Sequence, residues 1–227
     1  MAAVRHALPD APALDRRALA ALTGPVVLGF SGGGDSTALL RRLSGLERLT
    51  AIIVDHALRP GSQEDAARAA RFAEALGVPA RIVTLAWPPG AKRTQAALRR
   101  ARHVALYEAA RSVGASVVAL AHTADDQAET VMMRAARVGW RRAAGMAPLS
   151  PAPIWPEGRG IVIARPLLDV RRKALRAWLT AQGAEWIEDP ANENAAFERV
   201  RVRRRLAEAS DGEVMRLVRL AAGLRVR

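Results

Sequence analysis

Two short stretches of this chain carry residue types that could do chemistry. The first is SGGGDS, residues 31–36. Its glycines, Gly32, Gly33 and Gly34, can adopt positive φ and let a ligand approach the backbone closely. Successive N–H groups in such a turn form a nest for anions, and a helix beginning there adds its own unsatisfied N–H groups and dipole. Ser31, Ser36 and Thr37 add hydroxyl donors. The segment therefore suits phosphate oxygens. It has neither the Gly-Lys-Ser/Thr ending of a Walker A loop nor the G-x-G-x-x-G spacing of a dinucleotide-binding turn. Instead it places Asp35 among the donors. A carboxylate repels phosphate unless a cation lies between them, so Asp35 points to Mg2+. Without a ligand, the same residue reads as a helix N-cap in a glycine turn.

The second stretch is HTADDQAET, residues 122–130. His122 ends an apolar run, and Asp125, Asp126, Gln127 and Glu129 follow it. Asp126 and Glu129 are three residues apart and share one face of a helix. They read either as capping acids at a helix start or as carboxylates that bind a metal and handle protons. Asp55, His56 and Arg59, in VDHALRP (54–60), form a polar loop after a strand or part of a ligand pocket. Two arginine clusters complete the set: Arg134, Arg137, Arg141 and Arg142, then Arg199, Arg201, Arg203, Arg204 and Arg205. Guanidinium groups match phosphate geometry, but a solvated basic surface explains them equally.

The elements that must position these residues alternate along the chain. Near-continuous apolar runs at 26–30, 50–55, 80–87 and 116–122 read as buried strands. Amphipathic stretches beginning at Ser36, at 63–76, 94–113 and 124–137 read as helices. This pattern predicts an α/β fold with a doubly wound, mostly parallel sheet, whose fifth strand is IVIARPLL (161–168). Ligand sites in such sheets lie at the carboxyl ends of strands. After residue 138 the texture changes. GMAPLSPAPIWPEGRG reads as a loop or hairpin, 171–182 as a helix, and EDPANENAAF as a loop that Pro190 keeps from being helical. Residues 197–208 and 212–224 read as terminal helices.

The bulk composition sets outer bounds. The chain has 227 residues, half of them apolar, and a formal net charge of +13. It has no cysteine, which excludes disulfides, thiolate catalysis and Cys-ligated metal centres. Its apolar runs are too short to span a bilayer, and no apolar core of a secretory signal stands near the start. A cytoplasmic location is expected. Lys92 and Lys173 are the only lysines, so nearly all the positive charge is arginine. A field of that sign attracts polyanions.

The SGGGDS loop resembles the pyrophosphate-binding loop of the PP-loop ATP pyrophosphatases, which cleave ATP between its α and β phosphates. Four further segments narrow the resemblance: VDHALRPGSQEDA (54–66), GASVVALAHTADDQAETVMMR (114–134), RPLLDVRRKALRAWL (165–179) and WIEDPANENAAFERVRVRRRL (186–206). In that order they resemble the tRNA(Ile)-lysidine synthetases. The resemblance implies a ligase that adenylates the wobble cytidine of tRNA(Ile) with a CAU anticodon at O2. Pyrophosphate is released, and the amine of L-lysine then displaces AMP at C2. It implies ATP as substrate, Mg2+ held by Asp35 and Asp126, no membrane, and a monomer or homodimer. Ser31, Gly32, Gly33, Gly34, Asp35 and Ser36 would hold pyrophosphate. Asp55, His56, Arg59 and His122 would lie at the nucleotide and base pocket. Asp126 would be the essential acid, Glu129 would orient the lysine amine, and Arg199 and Arg203 would contact phosphate or tRNA.

The same resemblance divides the chain into an N-terminal extension (1–24), a catalytic domain (25–206) with a tRNA-facing part from 138, and a helical tail (207–227). One segment departs from the family pattern. A glycine-rich turn close to R-G-S-G is expected after the acidic helix, where this chain has AARVGWRRAAGMAP (135–148). Only Gly139 and Gly145 remain there, beside Trp140 and two arginines. Trp140 reads as a packed core residue or as a platform for an unpaired base. Two other readings stay open: a different PP-loop enzyme acting on a tRNA or nucleotide, and a tRNA-binding relative without catalysis.

Overall fold

The computed structural model describes residues 10–188 and 198–224. The loop read around Pro190 falls, apart from Glu188, outside them. Strands β1 (Val26–Gly29), β2 (Leu49–Asp55), β3 (Ala80–Thr84), β4 (Val117–Leu120), β5 (Leu149–Pro151) and β6 (Val162–Ala164) form one sheet in the order β3-β2-β1-β4-β6-β5. All neighbours pair in parallel except β5 with β6. The sheet therefore has one strand more than the five expected. The extra strand comes from the proline-rich stretch. Three residues of it pair at the sheet edge, where Pro151 needs no ladder N–H.

The helices are α1 (Arg16–Ala20), α2 (Gly34–Leu43), α3 (Ser62–Glu74), α4 (Gln95–Ser112), α5 (Ala124–Val138), α6 (Arg172–Ala181), α7 (Glu198–Ala207) and α8 (Asp211–Gly223). A single 3-10 turn, Trp140–Arg142, follows α5. Side chains alternate across each strand, so the sheet feeds two apolar cores. Val26, Leu28, Ala51, Ile53, Val117 and Ala119 face α1, α2, α3 and α6. Val27, Ile52, Val118, Leu120 and Ile163 face α4, where Leu106 and Tyr107 are fully buried. Both faces are covered, which is why these strands read as continuous apolar runs.

The sheet is wound in two directions from its centre. From β1 the chain moves outward through β2 and β3, and from β4 it moves the other way to β6. The switch point is the crevice between β1 and β4, the place where open α/β sheets bind ligands. The glycine turn leaves β1 there, and the acidic helix α5 leaves β4 beside it. Helix α5 packs against α7, α8 and the 3-10 turn. Val131, Ala143 and Ala221 form a third, small apolar cluster between them.

Candidate active site

The glycine turn is built as a cradle. Gly32 has φ +75°, and a Cβ there would lie 2.7 Å from Ile187 Cδ1, so only glycine fits. The carbonyl of Gly32 accepts the Ile187 N–H at 2.8 Å and the Thr37 hydroxyl at 3.1 Å. Ser36 Oγ donates to the Gly33 carbonyl at 2.9 Å. These bonds turn the carbonyls inward and pin the loop from behind. Gly33 is the N-cap of α2 and caps it with no side chain. The first-turn N–H groups of α2 thus meet no capping oxygen, as an anion cradle requires.

The acidic helix does two jobs with one residue. Thr123 is the N-cap of α5 and Asp126 its N3 residue, forming a reciprocal capping box. Asp126 Oδ2 accepts the Thr123 N–H at 2.9 Å and its hydroxyl at 2.8 Å. The other oxygen, Oδ1, accepts Arg172 at 3.1 Å and Arg199 at 2.9 Å. Capping and ligand-side chemistry were alternatives in the sequence; Asp126 divides its two oxygens between a cap and a salt-bridge network. One turn on, Glu129 is 1% exposed and accepts Arg199 Nε at 2.6 Å and Arg203 Nε at 2.9 Å.

Arg172 joins the two halves of the site. Its Nε donates to Asp35 Oδ2 at 2.9 Å, while its other nitrogens reach Asp126 and, at 3.6 Å, Glu129. The preceding residue repeats the pattern: Arg171 Nε lies 3.2 Å from Asp125 Oδ1, and the Arg172 N–H donates to Asp125 Oδ2 at 2.7 Å. The start of α6 is thereby clamped to the start of α5. Asp35, Asp126 and Glu129 with Arg172, Arg199 and Arg203 form one ionic network at the crevice.

Position sets the ionisation of each group. Burial pushes the Asp35 carboxyl above the usual aspartate value, and Arg172 offsets this only in part. Burial also acts to raise Asp126, but Arg172 and Arg199, with the Thr123 backbone hydrogen bond, outweigh it and hold that carboxyl well below the usual range. These two acids, 91 residues apart in the sequence, are thus driven in opposite directions, a pattern common at functional sites. Burial works to lower Arg172, and Asp126, Asp35 and Glu129 together hold it above its ordinary value. His122 is pushed down to about 3, chiefly by burial, so it stands neutral. Behind it, burial pushes Arg102 and Arg165 down to about 10, with Arg99 adding like-charge repulsion. The Nε atoms of both are buried without an acceptor.

The family of PP-loop domains matches residues 15–210 of this sequence. The chain belongs to the PP-loop family. Curated relatives narrow the likeness further. A tRNA(Ile)-lysidine synthase of Hyphomonas neptunium is 48% identical over 194 residues, 82% of this chain and 51% of the relative. One of Caulobacter vibrioides is 44% identical over 200 residues, 84% of this chain and 47% of the relative. The chain spans about half the length of these curated relatives. Among solved structures, the U34-tRNA thiolase NcsA of Methanococcus maripaludis superposes with a TM-score of 0.68 at 17% identity, over 89% of this chain and 72% of that one. That likeness shows the fold.

Around the PP-loop, the remaining expected residues are only partly assembled. Asp55 ends β2 beside β1 and is 5% exposed; its Oδ1 accepts the Ala57 N–H at 2.9 Å, and its Oδ2 is buried without a donor. The His56 carbonyl accepts Trp87 Nε1 at 2.9 Å. Arg59 pairs with Asp65 on the first turn of α3. Asp35 and Asp126, expected to hold a metal, both accept hydrogen bonds from Arg172. Among the described residues no three His, Cys, Asp or Glu side chains gather into a metal site. Trp140 is 55% exposed and so is not a core residue. Gly145 keeps a structural purpose: a Cβ there would lie 2.5 Å from Gln127 Oε1, the atom that accepts the Met146 N–H.

Several site residues carry no mark in the sequence. Arg172 and Arg171 sat inside the RPLLDVRRK segment with nothing to mark them. Ile187, in WIED, proves to be the residue that holds Gly32. Arg102 and Arg165 lie on α4 and after β6; each carries a desolvated positive charge near His122, and Arg102 is also felt by Asp126.

Proposed function

We propose that this chain carries the adenylating and ligating centre of a tRNA(Ile)-lysidine synthetase. Its substrates would be ATP, L-lysine and the wobble cytidine of tRNA(Ile). The observation that carries the reading is the Arg172 bridge. It ties the PP-loop, through Asp35, to Asp126 and Glu129 at the switch point of the sheet. A phosphate cradle and two acids at one crevice suit a reaction that expels pyrophosphate and then attacks with an amine.

Each residue has a share in that chemistry. The first-turn N–H groups of α2, with Ser31 and Ser36, would hold the departing pyrophosphate. Arg102 and Arg165, which have no acidic partner at their Nε atoms, would offset charge on the α-phosphate. Asp126, ionised across the physiological range, would hold the lysine ammonium, and would accept its proton only once Arg172 or Arg199 has moved away and its basicity has risen. Glu129 is engaged by Arg199 and Arg203, so it would orient the amine only once one of them turns to RNA phosphate. Asp35 Oδ1 is buried and accepts no hydrogen bond, a hard oxygen fit for Mg2+. Asp126 would reach the same ion only after Arg172 moves. When bound, Mg2+ would neutralise phosphate charge.

No helix among the described residues is long and apolar enough to cross a membrane. The test is mass analysis of nucleosides from tRNA(Ile) after incubation with the full-length gene product, ATP and labelled lysine. Label in a cytidine-derived nucleoside, with equimolar AMP and pyrophosphate, is the expected result. Lysine-independent consumption of ATP, or RNA binding with no AMP release, would overturn it.

A further inference from the structure

Helix α5 carries the acids at one end and an exposed tryptophan just past the other. Its axis advances about 18 Å from Asp126 to Val138 at 1.5 Å per residue. The chain then doubles back. Arg134 donates to the Ala144 and Gly145 carbonyls, and Gln127 Nε2 donates to the Met146 carbonyl at 2.7 Å. The 3-10 turn at Trp140 thus forms the tip of an arm whose base is the active site.

That tip is both apolar and cationic. Val138 is 53% exposed and Trp140 55%. Trp140, Arg141, Leu220, Gly223 and Leu224 line a cavity of about 330 Å3, at the small end of the range for ligand pockets. Arg137, Arg141, Arg142, Arg216 and Arg219 are exposed around it. No aspartate or glutamate occurs in 131–156 or 214–227. Arg137 pairs with Glu198 of α7, the acid that reaches this end. An apolar protein segment would need only the cavity. Arg137 has Glu198 and Arg216 has Glu213 nearby, but the excess of arginine over acid still selects a partner that brings a flat π-face and negative charge together.

We propose that this cavity takes an unstacked RNA base, sandwiched between the Trp140 indole and Leu220, with Arg141 on the adjoining phosphate. The inference rests on the reading that the chain modifies a tRNA. At 3.4 Å per stacked nucleotide, an 18 Å arm spans about five nucleotides. The base held at Trp140 is therefore a different one from the base that reacts at Asp126, within the same loop and stem. Stacking on an aromatic side chain with cationic support is the way unpaired bases are gripped. The loop that departs from the family pattern would in this way add a second grip on the RNA.

The experiment uses the full-length gene product and a hairpin RNA with the sequence of the tRNA(Ile) anticodon stem-loop, followed by fluorescence anisotropy. Trp140→Ala is expected to weaken binding roughly 5- to 150-fold, the range for losing one stacked base, and Trp140→Phe to restore most of it. Arg141→Gln is expected to lower the slope of log affinity against log salt by about 0.7 to 0.9. Trp155→Ala serves as the control. Trp155 is 70% exposed but lies in the loop between β5 and β6, does not line the Trp140 cavity, and should leave binding unchanged. Wild-type affinity in Trp140→Ala, with lysidine formation intact in the unmodified protein, overturns the stacking site alone. Failure of the unmodified protein to bind the hairpin overturns both this inference and the function on which it rests. Trp140 that resists oxidation by N-bromosuccinimide without RNA, while Trp155 reacts, shows the cavity covered by protein and also overturns it.

Discussion

Replacing Arg172 by glutamine tests whether one guanidinium holds the site closed. The Arg172 side chain is 17% exposed and serves Asp35, Asp126 and Glu129, whose side chains are 23%, 11% and 1% exposed. Removing one partner of a buried ion pair costs about 3–5 kcal/mol, because the other charge stays buried. Asp126 and Glu129 keep Arg199 here, which argues for the lower figure, about 3 kcal/mol. For a chain of this size each kcal/mol moves Tm by roughly 2–4 °C, so Arg172→Gln should melt roughly 6–12 °C below the unmodified protein near neutral pH. The sign of the pH dependence is fixed by the carboxylates. The depressed pKa of Asp126 contributes stability above the ordinary aspartate value of 3.8, and that stability is lost as pH falls through the depressed value. In the variant Asp126 loses its largest favourable partner, and Asp35, already raised, rises further. A raised carboxyl destabilises the fold while ionised and is relieved as pH falls through its folded-state pKa. The gap between the two proteins should therefore be widest near neutrality and narrow below about pH 4. Circular-dichroism melts across that range are the assay. An unchanged Tm, or a gap that stays constant with pH, would refute the idea that Arg172 neutralises these acids.

Four further outcomes follow from the same geometry. Asp35→Asn should lower ATP–pyrophosphate exchange by roughly a hundredfold or more while moving Tm little, because burial already disfavours the charge it removes; ordinary exchange would exclude Asp35 from phosphate handling. Gly32→Ala forces a Cβ to 2.7 Å from Ile187 Cδ1 at a φ of +75°, and should lose about 1–3 kcal/mol of stability together with ATP affinity, read by denaturant melts and calorimetry. Thr123→Ala removes a helix cap and a donor to Asp126, for a loss of about 1–2 kcal/mol and reduced turnover. Glu129→Gln leaves Arg199 and Arg203 with less balancing charge. Its RNA affinity should rise in low salt while lysine transfer falls; a parallel fall in both would show that Glu129 supports only the fold.

What could be read directly from the sequence was whatever is contiguous. SGGGDS and HTADDQAET are local, and both stand where a strand becomes a helix, so their place at the carboxyl ends of β1 and β4 followed from the apolar alternation. The sixth strand was hidden because Leu149–Pro151 is three residues long, carries a proline, and pairs only at an edge. The ionic network was hidden for a different reason. Asp35 and Arg172 are 137 residues apart, and Glu129 and Arg199 are 70 apart. No periodicity links such positions; only the strand order brings them together. Spacing showed that Asp126 and Glu129 share a helix face, but not that arginines from α6 and α7 would occupy it. That arrangement changes the chemistry expected of the acids. Three carboxylates meeting three guanidiniums form a nearly neutral plug, whereas a triphosphate needs uncompensated positive charge. The positive charge lies one layer deeper, on Arg102 and Arg165, where burial lowers the pKa of both to about 10 and their Nε atoms meet no acceptor. A double substitution separates the two layers. Arg102→Gln should weaken ATP binding with Arg172 present or absent, because its charge is not part of the plug. Arg172→Gln should alter ATP affinity only while Asp35 is an acid, so in an Asp35→Asn background its effect on ATP affinity should vanish. Additive effects in that last pair would mean that Arg172 acts on ATP without passing through Asp35.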